Sequence, residues 1–151
     1  KGNTLILFQY VDKHGKALHK YILEKLGETD RKVFFVHGAT DALDREAIRA
    51  IVEKEHDAII IASYGTMSTG TNIRNLDNII FSSPSKSLIR ILQSIGRILR
   101  KGDNGRMAWL YDIADDLEWG SWTNHTMNHC KERLKIYSDE QFEYKIYPVI
   151  L

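Results

Sequence analysis

The chain has 151 residues, 43% hydrophobic and 27% charged, with a formal net charge of +1, which suits one compact domain with a sizeable core. A charge this near zero demands no nucleic-acid partner, so any basic surface must arise from local clustering. The single cysteine, Cys130, excludes an internal disulfide and fits a reducing compartment, while no run reaches the roughly 18 apolar residues of a membrane span and no signal peptide is present.

Lys1 is not a methionine and the chain runs almost at once into an apolar segment, so we read it as an excised fragment of a longer polypeptide. Leu5-Ile6-Leu7-Phe8 is the first of five short apolar runs. Leu18, Ile22 and Leu26 then share one helical face, with Tyr21 beside them and Gly27 as a stop. Val33-Phe34-Phe35-Val36 is the second run. A second helical stripe follows, with Leu43, Ala47, Ile48, Ile51 and Val52. Asp41 is placed to cap that helix and Asp44 lies in its first turn.

Ala58–Ala62, Ile79–Phe81 and Met107–Tyr111 are the remaining runs, and Leu88, Leu92, Ile95 and Leu99 form a third helical stripe that Lys101-Gly102 ends. The runs are continuous rather than alternating, as in strands buried on both faces of a parallel sheet. Alternation of such strands with helices predicts an α/β domain with a mostly parallel sheet flanked by helices, its functional loops at the carboxyl ends of the strands. From Asp115 the pattern changes. Polar-aromatic turns from Glu118 to Trp122 lead to a helix ending near Tyr137, and Phe142 to Leu151 alternates like an added edge strand. The expected division is residues 1–114 as the main domain and 115–151 as an extension packed on it.

Three segments invite a chemical reading. In Gln93-Ser94-Ile95-Gly96-Arg97-Ile98-Leu99-Arg100, helical spacing sets Gln93, Arg97 and Arg100, with Arg90, on a stripe away from the apolar face. Guanidinium groups are planar, permanently charged donors suited to phosphate oxygens. A solvated basic helix face accounts for the same spacing. In Ser63-Tyr64-Gly65-Thr66-Met67-Ser68-Thr69-Gly70-Thr71-Asn72, a Gly/Ser/Thr-rich loop follows a buried strand, offering hydroxyls and backbone N–H groups at the functional edge. Gly65 and Gly70 have P-loop spacing, but Thr71 stands where the lysine must be, which rules a P-loop out. Val36-His37-Gly38-Ala39-Thr40, followed by Arg45, is a strand-to-helix turn that suits a backbone phosphate, or simply a turn.

Other clusters favour structural readings. Asp112, Asp115 and Asp116 follow a strand as acidic residues commonly do. His125, His129 and Cys130 match no zinc spacing, so no metal site is assigned. Trp109, Trp119 and Trp122 are read as packing residues.

In order, these segments resemble the C-terminal RecA-like motor domain of superfamily-two helicases, from Thr4 to about Asp112. Thr4 to Tyr10 resembles its opening motif, His37-Gly38 with Arg45 the next, Ser63 through Ile73 the fifth, and Gln93 to Arg100 the sixth, Gln-x-x-Gly-Arg-x-x-Arg. The flavour is similar to phage recombination-repair helicases of the UvsW type. The resemblance implies that Arg100 is an arginine finger for ATP, that Arg97 contacts the triphosphate and that Gln93 couples nucleotide state to domain closure. It places Gly70 and Asn72 near the ribose and phosphates, with Asn72 where many relatives carry aspartate. Ser63, with Thr66, His37 and Gly38 as weaker candidates, would touch the nucleic-acid backbone.

It further implies ATP and Mg2+ held mainly by an N-terminal RecA-like domain of the same polypeptide, since neither the phosphate-binding lysine motif nor an Asp-Glu box occurs in this sequence. The implied partner is single-stranded or branched DNA, with RNA left open, in a bacterial host cytoplasm. Two other readings stay open on the residues: a non-catalytic nucleic-acid-binding module with a degenerate motor fold, and a small-molecule α/β enzyme. The latter wants a glycine-rich turn after the first strand, where Tyr10-Val11-Asp12 stands instead.

Overall fold

The structure is a computed structural model and describes residues 2–67, 73, 75–83, 108–119 and 122–149. It forms two compact units, Lys1–Ile113 and Ala114–Leu151. In the first, β1 (Thr4–Phe8), β2 (Val33–Val36), β3 (Ile59–Ser63), β4 (Asn78–Phe81) and β5 (Trp109–Asp112) make one sheet. The strands lie in the order β2-β3-β1-β4-β5 and every pairing is parallel. All five expected strands are therefore present, each within two residues of its apolar run.

Parallel pairing needs crossovers. The described helices are α1 (Lys16–Leu26), α2 (Ala42–Val52) and the single turn α3 (Tyr64–Met67). The face that carries Ile6, Phe8, Ile59 and Ile61 packs against Leu18, Ile22 and Leu26 of α1, the stripe read from the sequence. Leu5, Leu7, Ile60, Ala62, Ile79 and Phe81, which point the other way, are also buried. Burial on both faces explains the continuous runs. Each fully buried Leu, Ile or Phe contributes about 1.5–3 kcal/mol over an exposed one.

The second stripe behaves differently. Asp41 caps α2 as expected, accepting from the Leu43 N–H at 2.8 Å, yet Leu43 is 81% exposed and only Val52 of this helix is fully buried. The helical period is right, but its apolar residues do not all reach the core. The third stripe, Leu88 to Leu99, lies outside the described residues.

Between β1 and α1 the chain makes a π-helical turn, Val11–Gly15. The Tyr10 carbonyl accepts from both His14 N–H (3.1 Å) and Gly15 N–H (2.9 Å). Gly15 has an ordinary helical backbone, but a Cβ there would sit 2.4 Å from Cε2 of Phe8, whose side chain is fully buried. The turn thus depends on a close approach that only glycine permits.

The amino edge of the sheet is held by one side chain. Asn3 is fully buried. Its Nδ2 donates towards the carbonyls of Val52 (3.1 Å), Glu55 (2.7 Å) and Asn75 (2.8 Å), and its Oδ1 accepts from Ala58 N–H at 2.9 Å. Two amide protons shared among three carbonyls tie the end of α2 and the approaches to β3 and β4 to the start of β1.

In the second unit, β6 (Glu118–Trp119) and β7 (Trp122–Thr123) form an antiparallel hairpin, followed by α4 (His125–Asp139). Asn124, the asparagine of an Asn-x-Ser/Thr triplet, caps α4 by accepting from Met127 N–H at 3.2 Å and donates to the Asp115 carbonyl at 2.9 Å. The helix runs two residues beyond Tyr137 and ends in a Schellman motif: Phe142 N–H donates to Tyr137 O (2.9 Å), Gln141 N–H to Ser138 O (3.1 Å), and Gln141 is left-handed at φ 58°.

The expected edge strand from Phe142 to Leu151 is not found. Residues 142–149 form no strand. The Schellman turn reverses the chain, and the Tyr144 ring lies 6.2 Å from that of Tyr137, so part of the alternation is used against the unit's own helix. Trp109 also corrects an expectation. It is 64% exposed, because it occupies an outward register position on edge strand β5.

Two outcomes are expected on urea unfolding of the protein. Gly15→Ala should cost about 1–3 kcal/mol through overpacking against Phe8. Asn3→Ala should cost about 3 kcal/mol, because it strands buried backbone groups at the amino edge.

Candidate nucleic-acid interface and motor site

Because all five strands are parallel, their carboxyl ends share one edge. Phe8 pairs with Ser63, Leu7 with Phe81, and Val36 with Ala62. His37 therefore leaves β2 beside Ser63 at the end of β3. The two nucleic-acid-contacting segments suggested by the sequence are neighbours for this reason alone.

The His37 turn is closed by its own atoms. His37 N–H donates to Thr40 Oγ1 at 3.0 Å, and Thr40 N–H donates to the His37 carbonyl at 2.9 Å. The Nδ1 of His37 accepts from Ala39 N–H at 3.3 Å. That bond leaves Nε2 as the proton-bearing nitrogen of the neutral ring. The ring also lies 5.2 Å from Phe35, which in turn stacks on Phe8 at 5.5 Å and His19 at 4.9 Å. An aromatic column thus supports the turn from below. Gly38 and Ala39 form its exposed apex, and a Cβ on Gly38 would meet nothing within 4 Å. Backbone and ring edge are both presented outward there.

Charge near the turn comes from the π-helical segment. The Lys16 ammonium, 2.6 Å from Asp12, holds that carboxyl below the usual carboxylate range, mainly through its hydrogen bond and charge, and His37 adds a smaller pull in the same direction. Both partners of the ion pair are exposed, so its value is local charge balance rather than stability.

At the end of β3, Ser63 Oγ and Thr66 Oγ1 are 2.7 Å apart. Both residues are buried, at 8% and 3% exposure. Thr66 turns its hydroxyl into the fold, onto Ser63, and so supports that residue rather than meeting a strand itself. Ser63 keeps the small outward opening. Gln93, Arg97, Arg100, Gly70 and Asn72 lie outside the described residues.

Three residues had no part in the sequence reading of this edge. Tyr64 donates its phenolic proton to the Ser83 carbonyl at 2.7 Å. Ser83 Oγ accepts from Gln9 N–H at 2.9 Å. Ser82, next to it, donates both N–H and hydroxyl to the Leu7 carbonyl, at 3.0 and 2.7 Å. The paired serines after Phe81 were the visible signal, since hydroxyls at a strand exit commonly bond backbone. Among the described residues no group of three His, Cys, Asp or Glu side chains is placed to hold a metal, and no helix is long and apolar enough to cross a membrane.

A parallel sheet with this strand order and with its functional loops gathered at one edge is the RecA-like motor lobe. The helicase conserved C-terminal domain family matches residues 1–102, and the chain belongs to that family. It is 32% identical over 152 aligned residues to the ATP-dependent DNA helicase UvsW of Enterobacteria phage T4, covering 94% of this chain and 29% of that protein. The crystal structure of T4 UvsW matches with a TM-score of 0.69 over 95% of this chain and 30% of that one.

Two further structures share the fold at lower identity. The C-terminal part of the Fun30 ATPase domain matches with a TM-score of 0.60 and 18% identity, covering 91% of this chain and 48% of that one. Domain 2 of the DEAD-box helicase Mss116p, bound to an RNA duplex, matches with a TM-score of 0.56 and 19% identity, covering 74% and 42%. This chain spans under a third of the length of the phage helicase it resembles.

The placements of Thr66 and Gly38 give opposite expectations. Thr66→Val should destabilise the protein by about 1–2 kcal/mol in urea unfolding, since it removes a buried hydroxyl bonded to Ser63. Gly38→Ala should stay within about 0.5 kcal/mol.

Proposed function

We propose that this chain is the second motor lobe of an ATP-dependent DNA helicase, and that it works against an N-terminal RecA-like lobe of the same polypeptide. The observation that carries the reading is the family match, whose residues 1–102 include the whole Gln93–Arg100 segment. The 32% identity to an ATP-dependent DNA helicase supports DNA as the partner. Branched DNA in recombination and repair is the substrate class that the UvsW likeness favours.

The donor set fits ATP. Arg97 and Arg100 carry planar guanidinium donors of permanent charge, matched to phosphate oxygens. In this reading Arg100 is the arginine finger, Arg97 holds the triphosphate, and Gln93, Gly70 and Asn72 complete the nucleotide side. ATP with Mg2+, bound mainly by the neighbouring lobe, supplies the phosphoryl group whose transfer drives the cycle. Arg100 stabilises negative charge that develops during that transfer.

On the other side of the edge, His37, Gly38 and Ser63 contact the sugar-phosphate backbone, and Thr66 fixes the Ser63 hydroxyl. Backbone contacts carry no base information, which suits a motor that must move along any sequence. Closure of the two lobes then moves these contacts relative to those of the partner lobe. Host-cytoplasmic action follows from the phage likeness.

Arg100→Ala in the full-length protein should lower the ATPase kcat by about 10³-fold or more, with binding of single-stranded DNA changed by less than about twofold. Arg100→Lys should recover little, because a lysine lacks the planar fork. An unchanged kcat in Arg100→Ala would favour a non-catalytic nucleic-acid-binding module instead.

A further inference from the structure

Strands β3 and β4 do not touch through the sheet ladder, because β1 lies between them. Any signal passing directly from the end of β3 to the end of β4 must cross over the end of β1. One side chain makes that crossing. Tyr64, the residue after Ser63, is 4% exposed and packs its ring edge-on against Phe81, at a centroid distance of 6.1 Å. Its hydroxyl then reaches the Ser83 carbonyl at 2.7 Å. Below that bridge, β1 is fastened to the same point, with Gln9 N–H on Ser83 Oγ and Ser82 on the Leu7 carbonyl.

Packing on Phe81 needs only a ring, which phenylalanine supplies. The hydroxyl does something the ring does not, because it grips the carbonyl of a Ser-Pro bond. A residue before proline is confined to extended backbone, and proline fixes its own φ. The gripped point is therefore a stiff junction, and the chain runs on from it to Gln93, Arg97 and Arg100. At its other end Tyr64 is joined covalently to Ser63, whose hydroxyl is itself fixed by Thr66 at 2.7 Å.

We infer that Tyr64 is a positioning residue that couples strand engagement at Ser63 to the nucleotide-facing segment, through its hydrogen bond to the Ser83 carbonyl. This rests on the helicase reading above. Tyr64 meets neither DNA nor ATP. Its hydroxyl makes the end of β3 and the exit of β4 move as one body, so a shift imposed at Ser63 reaches the segment that carries the arginines. Without the hydroxyl, each site keeps its own affinity and only their communication weakens.

The test is the ATPase of the full-length protein with and without a saturating single-stranded DNA oligonucleotide. Tyr64→Phe should keep the DNA-free rate and the DNA Kd within about twofold, while DNA stimulation of kcat falls about fivefold, the scale of one lost hydrogen bond. Thermal unfolding should shift by only a few degrees. Ser63→Ala should lower stimulation too, and Ser63→Ala with Tyr64→Phe should be no worse than the poorer single variant, as for residues on one path.

Tyr21→Phe, at an exposed tyrosine of α1, should match wild type. If Tyr64→Phe fails to fold, Ser83→Ala cuts the fastening to Gln9 and should reduce stimulation in the same sense. Full stimulation in a folded Tyr64→Phe protein overturns the inference. So does a double variant whose losses multiply, which means Tyr64 acts independently of Ser63. A wild-type protein with no DNA-stimulated ATPase overturns the helicase reading itself, and the inference falls with it.

Discussion

The structure hangs on the main-chain pairing of β1 with β3 on one side and β4 on the other. Parallel pairing on both flanks forces every crossover to return across the sheet, and so brings all strand exits to one edge. It also buries β1 on both faces, which is why Leu5, Leu7 and Phe8 are fully enclosed. The two edges then divide the work. The amino edge is closed around the Asn3 amide, where its Nδ2 and Oδ1 meet main-chain partners. The carboxyl edge keeps openings at Gly38 and Ser63.

That division shapes the function. A motor lobe must hold a ligand on one side and transmit movement to the other without deforming its sheet. The aromatic column of Phe8, Phe35 and His19 and the Gly15–Phe8 contact make the β1 and β2 exits rigid. The Ser63–Thr66 hydroxyl pair and the Tyr64 bridge do the same for β3 and β4. What is left mobile in principle is the lobe as a body, which is the unit that lobe closure moves. Packed interiors transmit displacement because they do not yield locally.

Much of this was legible in the sequence, for reasons that differ by element. Continuous runs such as Ile59-Ile60-Ile61 name a strand covered on both faces, and Asp41 marks a helix start by simple hydrogen-bond chemistry. The parallel order followed from alternation, and the juxtaposition of His37 with Ser63 followed from parallel order. The π-helical turn was not legible, because its cause is a three-dimensional contact between Gly15 and Phe8. Nor was the network around Asn3, since an asparagine before a strand looks the same whether it is exposed or holds an edge together. Periodicity misled twice. Leu43 keeps the helical spacing yet faces solvent, and the alternation after Phe142 describes residues folded back by the Schellman turn at Gln141 rather than a strand. The Gln93–Arg100 segment was read from residue type and order, and its place in the account rests on that and on the family match.

The central claim is that Arg97 and Arg100 complete a nucleotide site begun on another lobe. The most direct measurement is photoaffinity labelling of the full-length protein with an ATP analogue tethered through its γ-phosphate, with the labelled peptides mapped by mass spectrometry in the presence of DNA. The account expects label on the peptide carrying Gln93 to Arg100 as well as on the neighbouring lobe, both displaced by excess ATP. Label confined to the neighbouring lobe, with none on the arginine peptide under conditions of full turnover, would contradict it.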